Sequence, residues 1–233
     1  MKTPRQLIVA TALGCALGAN LAAAASPDAA VEEAFNHLDT QRLASLREKT
    51  QDNYRNAYAG YRLAIARHLN DEAGAEKALD RAAKRLEAEP PADRNSDATA
   101  LLAMVYGYRI ALSPLSAMRY GPRSHKMVQH ALALDGENPL AQLAKGISLF
   151  HTPGAFGGDK REALETFARA VSLYRSGRGG ATADWGLAEA LTWQGLTQRE
   201  LGRTADAEQS WRNALAARPE YRWAAGLLEE TEG

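Results

Sequence analysis

Three histidines, His125, His130 and His151, are the side chains in this sequence best suited to metal ligation. His125 and His130 stand five residues apart, whereas a helix brings two ligands onto one face at a spacing of about four, so the pattern argues against a metal site. Gly177-Arg178-Gly179-Gly180 is glycine-rich like a phosphate-cradling loop, but it lacks the lysine and the preceding strand such a loop needs, and reads as a flexible joint. Asp159 followed by Glu162 has the form of a capping box and marks a helix start. With no carboxylate pair and no nucleophile elbow at a usable spacing, the expectation is a protein with no catalytic residue, no cofactor and no metal.

Binding is the chemistry left. Arg119, Tyr120, Arg123, Phe156 and Trp185 fall in or beside two Gly/Pro-rich segments and a Trp-Gly step, and guanidinium and aromatic groups are the anchors a protein or peptide partner engages. The competing expectation has Tyr120 and Phe156 plugging their own loops, with Gly157-Gly158 supplying the tight turn into the next helix.

Positioning these residues requires an all-α chain. Apolar residues recur at helical spacing after Ala29, alanine is abundant, and strand-like alternation is missing. Glycine, a bulky apolar residue and alanine then recur in order as Gly107/Val128/Ala131, Gly146/Phe167/Ala170 and Gly195/Trp211/Ala214. Small residues let two antiparallel helices approach closely where they cross, and the bulky residue fills the space beside the crossing. The Gly-to-Ala interval is 19 residues in the last triple and 24 in the other two. The excess falls in Ser113 to Pro122 and in His151 to Asp159, which predicts two long loops on neighbouring units. Tyr54, Tyr58 and Tyr61 lie three and four apart, a stripe expected in the core.

Leu191, Gly195, Ala207, Trp211, Ala214 and Pro219 resemble the pattern of a tetratricopeptide (TPR) repeat. Tyr106-Gly107-Tyr108, Met118-Arg119-Tyr120-Gly121-Pro122, Asn138-Pro139, Thr152-Pro153-Gly154-Ala155-Phe156-Gly157-Gly158 and Asp184-Trp185-Gly186 resemble exported bacterial TPR proteins that share this insertion and have no established role. The resemblance implies an α-α superhelix of three to four helix hairpins: units near 100–138, 139–177 and 188–221, a degenerate first repeat within residues 29–91, a leading helix over 29–49, and a capping helix over 220–230.

Lys2 and Arg5, the apolar run from Leu7, and Ala23-Ala24-Ala25 before Ser26-Pro27 form a secretory leader over residues 1–25, the alternatives being a membrane span or lipidation at Cys15. Removing residues 1–25 takes away Cys15, the single cysteine, and leaves 26 basic against 28 acidic side chains, a balance that gives no footing for nucleic acid. The expectation is a periplasmic scaffold that binds a protein or peptide on its concave face or loop edge, compatible with peripheral attachment to the envelope. The alternative is a receptor for an apolar small molecule that works with a membrane transporter.

Overall fold

The computed structural model describes residues 27–179 and 185–232. The expected leader and Asp184 lie outside the described residues. Eleven α-helices account for the described chain: α1 (Pro27–Asn36), α2 (Thr40–Lys49), α3 (Asn53–Leu69), α4 (Ala75–Glu87), α5 (Ser96–Leu112), α6 (Ala117–Leu134), α7 (Pro139–His151), α8 (Lys160–Arg175), α9 (Gly186–Glu200), α10 (Thr204–Ala217) and α11 (Arg222–Glu232).

Short polar residues start many of them. Asp39, Asp52, Asn95, Asn138 and Asp159 each accept a backbone N–H from the first turn of the helix that follows, at 2.7–2.9 Å, and Pro139 occupies the first position of α7, where no N–H is needed. Asp159 takes a second N–H, that of Glu162, at 3.2 Å, while the Glu162 carboxylate turns away to Lys145 at 2.8 Å. An Asp159→Ala variant is therefore expected to lose about 1 kcal/mol in a urea titration, with the slope unchanged.

Helices pack as hairpins, α3 with α4, α5 with α6, α7 with α8 and α9 with α10, and the second helix of each hairpin packs on the first helix of the next. The first helices α3, α5, α7 and α9 also touch in sequence, so the hairpins step into an α-α superhelix, with α11 closing the far end against α10. Inside two hairpins the small-residue argument holds literally. A methyl group added at Gly146 would fall 2.5 Å from the Phe167 ring, and one at Gly195 2.3 Å from the Trp211 ring and 2.9 Å from the Ala207 carbonyl oxygen. Trp211 is buried there and donates its indole N–H to the Thr192 carbonyl at 3.2 Å. At Gly107 the contact is absent: its added methyl would meet only the Ser124 hydroxyl at 3.9 Å, because Val128 is too short to reach across.

Three expectations are corrected. The leading segment is two helices rather than one, broken at Leu38, which takes a left-handed φ of 50°. The excess residues of the second unit are spent on helix: after a single 3-10 turn at Pro114–Ser116, α6 begins at Ala117 and runs through Gly121 and Pro122. Proline is tolerated because the carbonyl that loses its bond belongs to Met118, at the solvent-exposed end of α6. Thr204, whose hydroxyl and place after Gly202 predict a cap for α10, occupies the first turn of that helix instead. The segment Thr152–Asp159, by contrast, is a loop, turned by Gly157 at φ 91° and by Gly158, whose added methyl would overlap the Thr152 carbonyl at 1.7 Å.

Candidate functional site

The superhelix is short enough for its ends to meet. Arg62 of α3 reaches Glu189 of α9 through Nη2 at 2.7 Å and Glu32 of α1 through Nε at 2.7 Å, and Arg218 after α10 takes the other oxygen of Glu32 at 2.6 Å. Tyr58 donates its hydroxyl to Glu32. Glu32, Arg62 and Glu189 are all buried, and the guanidinium of Arg62 lies between the rings of Phe35 and Trp185, 4.6 Å from each centroid. Burial alone would lower the Arg62 pKa, but Glu189 and Glu32 outweigh it and hold the value well above the ordinary one. Burial raises the pKa of Glu189 against the pull of Arg62. This cluster is a closure. With α1 lodged between the first and fourth hairpins, the expected open concave groove is filled at this end of the molecule.

Closure also removes one expected binding residue. Trp185, at 2% exposure, stacks on Tyr58 with ring centroids 4.7 Å apart, so it belongs to the joint between first and last hairpins and not to a surface. Tyr120 is likewise buried, tilted against Tyr106 at 5.6 Å, with the guanidinium groups of Arg119, Arg109 and Arg123 at 5.3, 5.4 and 5.9 Å from its ring. Arg109 is held there by Glu76 at 3.1 Å and Asp80 at 3.6 Å. Arg119 and Arg123 are exposed, and no described carboxylate lies within ion-pair distance of either. Phe156 does not plug its loop; it stands 81% exposed. The structure thus gathers Arg119, Tyr120 and Arg123 in one place and puts Phe156 on the next connection and Trp185 inside.

The sequence reading missed an open aromatic face. Trp193, in the middle of α9, is ringed by Phe150 and His151 from the end of α7 and by Trp223 from the start of α11, at centroid distances of 5.4, 5.2 and 5.1 Å, all edge-on. Phe167 of α8 stacks beneath it at 6.2 Å. Trp223 is 36% exposed, His151 is exposed, and Phe150 and Trp193 are half-buried, so the rings present one side to solvent. A polar rim adjoins them, where Lys160 lies 5.1 Å over Phe150 and pairs with Glu200. Desolvation of the imidazole, then the Lys160 charge, holds His151 below the ordinary histidine pKa and so favours its neutral form. Half-buried tryptophans beside a charged rim share the apolar centre and polar border common in contact surfaces. The available signal was surplus: Phe150 and Trp193 are aromatic residues on first helices at positions the hairpin crossing does not use.

Two depressions elsewhere, of about 510 and 260 Å³, have charged groups in their walls: Glu72, Glu76, Lys77 and Asp80 in one, Glu33, Arg218 and Glu220 in the other. His125 Nε2 accepts from the Gln129 amide at 2.8 Å. Among the described residues no three His, Cys, Asp or Glu side chains converge as a metal site requires, and no helix is long and apolar enough to cross a membrane.

No protein-family model and no curated protein matches the sequence. Among solved structures, the HusA haemophore from Porphyromonas gingivalis is similar in fold, with 22% identity, 75% of this chain and 92% of that chain covered, and a TM-score of 0.51. YrrB, a TPR protein with an unusual peptide-binding site, aligns at 18% identity over 84% of this chain and 86% of its own, with a TM-score of 0.40.

Proposed function

We propose that this protein is an exported binding scaffold that engages a partner polypeptide on the ring-lined face of α7, α9 and α11 and performs no chemistry on it. The observation that carries the reading is the edge-on cluster of Phe150, His151, Trp193 and Trp223, open on one side and supported from below by Phe167. Rigid rings lose little side-chain entropy when covered, and an apolar centre beside the Lys160–Glu200 pair excludes water where an inserted partner side chain would bind. The leader expected over residues 1–25 supports placing this activity in the periplasm.

A photocrosslinker, p-benzoylphenylalanine, in place of Trp223 tests the reading. Expressed in native cells, this variant is expected to give a discrete protein adduct in the envelope fraction, and the same group at exposed Arg212 on α10 is expected to give none. Adducts at Arg212 but not at position 223 would refute it.

His151 favours a second reading. HusA is a haemophore, and a neutral imidazole beside two aromatic rings, with the Lys160 ammonium close by, suits a planar porphyrin carrying carboxylates as cargo. Haemin titrated into the purified chain would then shift its Soret band, and His151→Ala would abolish the shift. An unshifted band removes this reading and leaves the first intact.

A further inference from the structure

The geometry points to a membrane-docking edge: the α5–α6 connection inserts Leu115 and Met118 into an anionic phospholipid leaflet while Arg119, Arg123 and Lys126 bind its phosphates. Leu115 and Met118 are 94% and 92% exposed, the most solvent-exposed of the described large apolar side chains, and they stand three residues apart where the hairpin turns from α5 into α6. Phe156 is the next most exposed, and it lies on the α7–α8 connection. In a stack of antiparallel hairpins both connections leave from the C-terminal ends of first helices, so all three apolar tips belong to one edge.

Charge supplies the second half of the argument. The 18 residues of α6 contain no aspartate or glutamate, and Arg119, Arg123 and Lys126 recur at i, i+4 and i+7 on its outward side. None of the three has a described carboxylate within 4 Å, whereas Arg109 on the neighbouring helix has two. At a rise of about 1.5 Å per residue, Arg119 stands about 1.5 Å and Arg123 about 7.5 Å behind Met118 along the helix, a depth matching headgroup phosphates behind inserted apolar tips. An acidic protein surface would satisfy the arginines but gives no reason for two almost fully exposed apolar side chains in front of them; a leaflet accounts for both. Leu115, Met118, Arg119, Arg123 and Lys126 all lie on the second hairpin and none belongs to the ring face, so the inference does not depend on what that face binds.

Flotation of the purified chain with vesicles tests the inference. Binding is expected to phosphatidylcholine vesicles containing phosphatidylglycerol and to be far weaker with phosphatidylcholine alone. Arg119→Gln with Arg123→Gln should lower the partition coefficient roughly thirtyfold, and Leu115→Ser with Met118→Ser roughly tenfold or more. Raised salt should weaken the wild type and have little further effect on the arginine variant. These positions are exposed, so the circular dichroism of both variants should match the wild type. Equal binding to both vesicle types, failure to bind either, or binding that neither double variant reduces would overturn the proposal.

Discussion

Replacing Arg62 with methionine is expected to cost about 3–5 kcal/mol of stability at pH 7. The loss comes less from the ion pairs themselves than from what is left behind. Glu189 would remain buried with its charge and without the guanidinium that now lies 2.7 Å from it, and Glu32 would keep only Arg218 and Tyr58. Lysine is no substitute, since an ammonium group cannot serve two carboxylates in the plane between Phe35 and Trp185. The pH dependence has a definite sign. Glu189 already has a raised pKa when folded, so between the unfolded and folded values the native state holds more protons, and stability falls as pH rises through that window. Removing the pull of Arg62 pushes the folded value higher still. The deficit of Arg62→Met should therefore shrink between pH 7 and pH 5. Because Arg62 ties residues 127 positions apart, the variant should also broaden or split an unfolding transition that is expected to be single in the wild type. Urea titrations at the two pH values check both points; a loss under 1 kcal/mol that does not change with pH would remove the closure from the account.

Gly195→Ala should destabilise by about 1–3 kcal/mol through overpacking, and Gly107→Ala should stabilise by up to about 1 kcal/mol. The two glycines occupy equivalent places in the sequence pattern, yet only at Gly195 do an immobile indole and a backbone carbonyl stand where the methyl would go. At Gly107 the helix gains alanine's propensity with nothing to displace. Midpoints from thermal or urea unfolding with opposite signs support this. A similar loss at both sites would show that glycine is needed for some reason other than the ring contact.

Much of the fold was legible because it is written locally. Asn138-Pro139, Asp159 and the left-handed Gly202 punctuate helices through contacts within a few residues, and Gly146 and Gly195 announce their crossings through partners one helix away. What was not legible depends on distance in the chain. Trp185 reads as a loop aromatic because its partner, Tyr58, lies on the first hairpin, and only the curvature of the stack brings them to 4.7 Å. No local pattern pairs Arg62 with Glu189, which stand 127 positions apart in the chain. Pro122 signals a loop by composition, yet α6 absorbs it near an exposed end. Of the candidate site residues, Arg119 and Arg123 stand exposed beside the buried Tyr120, while the ring face joins three helices, and its members share no motif.

The account's central claim is that the face of α7, α9 and α11 is the contact surface of a molecule whose first and last hairpins are joined through its own first helix. Hydrogen exchange on the complex with the crosslinked partner measures this directly. Slowed exchange is expected over residues 147–151, 193–196 and 223–228 while α1 to α3 stay unchanged; protection confined to α1 to α3, with the ring face unaffected, would contradict it.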